Sequence, residues 1–177
     1  MHPSFDAYLD IETTGLSPRY CEITVIGIHI VSENDSRFIQ LVGEDVTADN
    51  ILQALDGVGT LYTYNGSRFD LPFLYYHLGI NLAQIFSHCD LMHHCWRNNL
   101  YGGFKAVERQ LGIERRLKEV DGFEAVKLWW RYVNDYDEQA LADLPPSNGT
   151  SSCVRLAIKK EGVSDGQKGV QTGANNR

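Results

Sequence analysis

The stretch YLDIETTGL, Tyr8–Leu16, decides how the rest of the chain is read. With the residues before it, it alternates: Phe5, Ala7, Leu9 and Ile11 are apolar, and Asp6, Tyr8, Asp10 and Glu12 stand between them. A period of two is that of a strand, with one set of side chains on each face. Asp10 and Glu12 therefore share a face, their Cα atoms about 7 Å apart. Two carboxylates so close repel each other unless a cation lies between them, and hard divalent ions suit an all-oxygen donor set. The exposed polar face of an edge strand would give the same pair. Thr13, Thr14 and Gly15 follow, small residues that let backbone amides come close to a ligand.

Outward from this strand, Leu16-Ser-Pro-Arg makes a turn and CEITVIGIHIV (Cys21–Val31) is β-branched enough for a buried strand. SENDS is a polar hairpin turn, and RFIQLV returns as a third strand. The period then changes. Thr47 is placed to cap a helix over ADNILQAL, with Ile51, Leu52 and Leu55 on one face and Gly57 as its stop. TLYTY (Thr60–Tyr64) reads as a strand reached by a helical crossover, broken by Asn65-Gly66. LPFLYYHLG is a short helix with Pro72 in its first turn and Gly79 at its end. A short strand near Ile85–Cys89 precedes helices over Leu91–Asn98, Phe104–Leu111, Phe123–Val133 and Glu138–Leu144. In the third of these, Phe123, Val126, Trp130 and Val133 share a face, which makes the Trp a core residue. A strand meander followed by αβα and helices fits a mixed α/β sandwich with the first strand central. Periodicity fades from Pro145. Residues 1–160 read as one domain and 161–177 as a disordered tail, rich in Gly and without aromatics.

Composition narrows the function classes. At 177 residues and 43% hydrophobic, the chain is an ordinary globular domain. Its apolar runs are too interrupted to span a bilayer, and no basic region followed by an apolar run marks a secretory signal, so neither membrane nor export is expected. Four scattered cysteines (Cys21, Cys89, Cys95, Cys153) are no disulfide framework, and a cytoplasmic setting is the expectation. A net charge of −7 argues against a protein that lives on phosphate attraction. The charge is unevenly spread, however. Arg97, Lys105, Arg109, Arg115, Arg116 and Lys118 face only Glu108 and Glu114 in that segment. A solvated helix face with i,i+4 pairs would carry the same charges.

The second constellation is YNGSRFDLPFL, in which Asp70 precedes an apolar helix start and would serve as its N-cap. Asn65 would serve as a turn residue. Taken together, DIETTGL and NGSRFDLPFL resemble the first two motifs of the ribonuclease H-like 3′–5′ exonucleases named DEDD after their four acids. The resemblance continues through HCDLMHHC, GGFKAVERQLGI and DGFEAVKLWW, is similar to the branch labelled YprB-like, and runs from Phe5 to about Leu144. It implies a ribonuclease H-like mixed sheet, three antiparallel strands and then parallel ones, flanked by helices. It also implies a two-metal hydrolase using Mg²⁺ or Mn²⁺ on the 3′ ends of single-stranded DNA or RNA. Asp10 and Glu12 would hold the first ion, Asp10 would bridge to the second, and Asp70 would support that second ion. Thr13, Gly15 and Leu16 would line the pocket for the terminal nucleotide, and Asn65 and Phe69 would contact the strand. The basic segment, with Lys105 and Arg109, would track the phosphates.

The family's third motif sets a Tyr or His four residues before the fourth acid. The matching stretch here is SNGTSSCVRLAI, with Ser147 in place of the Tyr and Ser151 or Ser152 in place of the Asp. A neutral hydroxyl is no substitute for an anionic ligand. Three explanations stand: an impaired relative, an altered or truncated C-terminus, or a substitute acid such as Asp143 or Asp137. The alternative function is a non-catalytic nucleic-acid-binding module on the same fold. His88, Cys89, His93, His94 and Cys95 invite a zinc site, but they form only one arm where structural zinc uses two.

Overall fold

The structure is a computed structural model and describes residues 5–32, 35–112, 131 and 134–142. Among them five strands form one sheet: β1 (Phe5–Thr13), β2 (Ile23–Val31), β3 (Ser36–Val42), β4 (Val58–Thr63) and β5 (Ser87–Asp90), in the order β3-β2-β1-β4-β5. The first three pair antiparallel; β4 runs parallel to β1 and β5 parallel to β4. The strand read from YLDIETTGL is thus the middle one, as the order of strand meander, crossover and helices predicts. The last strand is Ser87–Asp90, two residues later than expected at its start.

Alternation along β1 builds the core. Ala7, Leu9 and Ile11 join Ile26, Ile28 and Ile30 of β2 and Leu61 of β4 in one buried cluster. Helix α1 (Ala48–Ala54) contributes Ile51, and α2 (Asp70–Leu78) contributes Phe73 and Leu74. The short α3 (Leu82–Ile85) adds Leu82. Each such aliphatic side chain, taken fully out of water, contributes about 1.5–3 kcal/mol before entropy is subtracted. Helix α1 starts where expected, the Thr47 hydroxyl accepting from Asn50 N at 3.2 Å, and Gly79 ends α2 in the left-handed region at φ 69°.

The opposite face of β1 carries Tyr8, Asp10 and Glu12. Tyr8 stacks on Tyr62 of β4 at 5.1 Å between ring centroids. Helices α4 (Leu91–Arg97) and α5 (Phe104–Gln110) supply a second cluster, Cys95 and Val107 with Tyr64, Leu100, Phe104 and Leu111. The Tyr64 hydroxyl donates to the Gly102 carbonyl at 2.9 Å, tying the end of β4 to the entry of α5. Helix α6 (Glu138–Ala142) closes the described part. Of the helix expected over Phe123–Val133 only Arg131 is among the described residues, and the tail expected at 161–177 lies outside them. No helix of the described residues is long and apolar enough to cross a membrane.

Candidate active site

Asp10 and Glu12 lie on one face near the end of the central strand, and the register sets Gly27 opposite Asp10 and Val25 opposite Glu12. Asp10 therefore has no side chain across from it on β2. Pairing of β1 with β4 ends at Tyr8 and Tyr62, so Ile11 extends past its parallel neighbour. Its amide finds a substitute acceptor, donating to Asp70 Oδ1 at 3.1 Å across 59 residues of sequence. The N-cap of α2 is Phe69, not Asp70 as expected: Asp70 is the first helical residue, and its carboxylate accepts from the Ile11 amide of β1 as well as from its own backbone amide. An acid in the first turn still has the favourable end of the helix dipole. Asp70 is 2% exposed, and burial followed by the neighbouring Asp10 charge pushes its pKa well above the usual carboxylate range.

Glu12 is raised by burial as well, with Lys105 of α5 acting against the rise. The basic helix thus lies close enough for its charge to be felt at the carboxylates. Asp10, Glu12, Asp70 and Lys105 are thereby gathered at one end of the sheet. Arg109 is exposed one turn further on, its Nε donating to the Lys105 carbonyl at 3.3 Å. Among the described residues no three His, Cys, Asp or Glu side chains are grouped tightly enough to hold an ion between them. The donor set nonetheless suits a hard divalent cation: neighbouring carboxylates, one of them buried, destabilised by their like charge.

Thr13 and Thr14 mostly organise their own turn. The Thr13 hydroxyl donates to the Gly15 carbonyl at 2.5 Å, and Thr14 Oγ1 accepts from Glu22 N at 2.9 Å. Gly15 packs closely on Cys21: a Cβ there would sit 2.6 Å from its Sγ, which would have to rotate away. Leu16 projects from the rim, 87% exposed. Asn65 sits at φ 64°, and Phe69 is half-buried with its ring 4.9 Å from that of Phe73, so it packs on the core side of the loop.

HCDLMHHC contains a residue that the zinc question obscured. Asp90 is 7% exposed and accepts from three backbone amides, Asn65 at 2.8 Å, Ser67 at 3.1 Å and Met92 at 3.1 Å. Burial pushes its pKa up, but the Ser67 hydroxyl and these three amides together hold it below the usual carboxylate value. Its place before the apolar run of α4 was a legible capping signal; its reach to the 65–67 loop was not. The neighbouring Cys89 Sγ lies 3.3 Å from His94 Nε2, and His88 Nε2 lies 2.9 Å from Thr63 Oγ1. Asp137, one suggested substitute acid, caps α6 through Gln139 N and Ala140 N and pairs with Arg131. Asp143, Ser147, Ser151, Ser152 and the basic residues Arg115, Arg116 and Lys118 lie outside the described residues.

A five-stranded mixed sheet of this order, with helices on its faces and acids at the end of its central strand, defines an RNase H-like α/β fold. Residues 7–151 match the RNase H superfamily, and the chain belongs to it. Among solved structures it is similar to the family B DNA polymerase of Pyrobaculum calidifontis, with TM-score 0.60 and 14% identity over 91% of this chain. The chain spans 25% of that polymerase, and the likeness is one of fold. NrnC of Brucella melitensis bound to pGG gives TM-score 0.49 and 18% identity over 92% of this chain and 85% of that one. E. coli exonuclease I in complex with a dA16 oligonucleotide gives 0.45 and 13% over 86% and 45%. No curated protein matches.

Proposed function

We propose that the chain is a divalent-metal-dependent 3′–5′ exonuclease acting on single-stranded nucleic acid. The observation that carries this reading is the delivery of Asp70, from the start of α2, to the amide of Ile11 beside Asp10. A fold gains no stability from burying a second carboxylate next to a first, so a cationic ligand is the economical reason for the arrangement. Asp10, Glu12 and Asp70 would hold the ions, two of Mg²⁺ or Mn²⁺, chosen for an oxygen-only donor set. Bound there, such ions supply an activated water and neutralise charge on the phosphate. The chain's own residues do the rest. Leu16, with Thr13 and Gly15 behind it, offers an apolar rim for the terminal base. Asn65 and Phe69 border the strand's path, and Lys105 and Arg109 attract its backbone.

A second reading, a nucleic-acid-binding module without turnover, is favoured by Ser147, Ser151 and Ser152 where the family has a Tyr and an acid. The two separate on one assay: Mn²⁺-dependent release of mononucleotides from an oligonucleotide with a free or a blocked 3′ end. Hydrolysis by the chain as it stands is expected to be slow. Ser147→Tyr combined with Ser151→Asp, or with Ser152→Asp, is expected to raise it by about 10²-fold, the scale of one well-placed electrostatic group. No 3′-dependent release from any of these variants would leave the binding module as the better reading. Calorimetry with Mn²⁺ should show a larger loss for Asp10→Ala than for Asp70→Ala, since Asp10 is the proposed bridging ligand.

A further inference from the structure

Loop 64–69 has to place Asp70 within bonding distance of Ile11, and bonds within the loop fix part of that path, among them Leu71 N to the Gly66 carbonyl at 2.9 Å. Asn65 takes a left-handed conformation, φ 64°, and its carbonyl accepts from Arg68 N and Phe69 N at 3.1 and 3.2 Å. Gly66 packs on Thr63 so closely that a Cβ would lie 2.3–2.8 Å from that side chain, and Thr63 is in turn held by His88 of β5. A further constraint comes from β5. One carboxylate at its end, Asp90, gathers amides from two segments: Asn65 and Ser67 in the loop, Met92 in α4. Capping α4 needs only the Met92 bond. The two loop bonds have no part in that cap, and they fall on the segment that launches α2.

We propose that Asp90 is a positioning residue for Asp70: by pinning the amides of Asn65 and Ser67 it sets the loop so that the Asp70 carboxylate lands on the Ile11 amide. Its importance for chemistry rests on the nuclease reading above; its action on Asp70 does not. The anion also lies close enough to add to the charge Asp70 feels, which agrees with the two carboxylates sharing one neighbourhood.

The test separates capping from loop-pinning. Asp90→Ser retains a short N-cap oxygen for Met92 but cannot span two loop amides, whereas Asp90→Asn keeps one acceptor oxygen and loses the acceptor for the Ser67 amide. Hydrogen exchange is followed by NMR on the full, metal-free chain, with Asp70→Ala as the reference for a lost acceptor. Exchange at Ile11 should accelerate on the order of tenfold in Asp90→Ser relative to the β1–β2 ladder amides of the same sample. A smaller acceleration is expected in Asp90→Asn. An Ile11 amide that responds to Asp70→Ala but keeps its protection in Asp90→Ser would overturn the proposal. Should Asp90→Ser fail to fold, unchanged protection in Asp90→Asn would do so. Mn²⁺ calorimetry on the same proteins keeps the two readings apart. If Ile11 responds while Asp90→Ser and Asp10→Ala both bind Mn²⁺ as the unmodified chain does, the positioning role stands and the metal reading fails.

Discussion

Asp70 sits almost wholly out of water, beside another carboxylate, with one amide from β1 as its contact across the fold. Burial and the Asp10 charge both favour its protonated form, so the folded chain retains a proton there after the unfolded chain has released it. Stability from this group is full below the unfolded pKa and is lost as pH rises through the folded one. Asp70→Asn keeps an oxygen for Ile11 and removes the charge. It should therefore raise the Tm of the metal-free chain at pH 8 and flatten the decline of Tm between pH 4 and 8. Each kcal/mol gained corresponds to about 2–4 °C in a chain of this size. Mn²⁺ should raise the Tm of the unmodified chain and act much less on the variant. Gly66 is a second residue-scale case. Its Cβ would overlap a Thr63 side chain that His88 prevents from moving away, so Gly66→Ala should cost about 1–3 kcal/mol by chemical denaturation. From sequence Gly66 reads as a turn residue; the neighbour that forbids a larger side chain is three positions away and becomes visible only in the fold.

At the scale of elements, β1 and α1 follow directly from local signals. Strand alternation set the faces of β1, and Thr47 caps α1 as its position predicts. Thr47→Ala should cost about 1 kcal/mol of unfolding free energy. Helix α5 is different. Its Phe104 and Val107 pack inward, while the Lys105 charge acts on Glu12 and Arg109 is exposed. The basic residues in this stretch were legible as charge, and equally as a solvated face. Which side of the sheet they serve was decided by the Tyr64–Gly102 bond and the packing of Phe104 on Tyr64, with ring centroids 5.0 Å apart. If these side chains meet phosphates, neutralising Lys105 and Arg109 together should lower the slope of log affinity against log salt for a single strand. The expected decrease is about 0.7 for each lost contact. An unchanged slope would return α5 to a solvated face.

Across the whole molecule, the order β3-β2-β1-β4-β5 puts the strand that bears the first two acids at the centre of the sheet. The end of a central strand that outruns its parallel neighbour leaves an amide to be satisfied, and the fold satisfies it with an acid from α2. The strand meander, the crossover and the start of α1 were readable along the chain, because each depends on period, caps and breakers within a few residues, whereas α3 (Leu82–Ile85) was not expected and the cap of α2 fell on Phe69. Also readable was the shared face of Asp10 and Glu12, which two-residue spacing imposes on any strand. The direction of the Asp70 side chain was not. Its sequence position suits an N-cap, and only the shortness of β4 beside β1 turns it toward Ile11. Asp90 shows the same limit: capping α4 is local and legible, whereas bonding Asn65 and Ser67 requires β5 to lie parallel to β4. Long-range bonds of this kind arise from register and strand length, which no window of sequence contains. The proximity of Asp10 and Asp70 was therefore a decision of the tertiary structure.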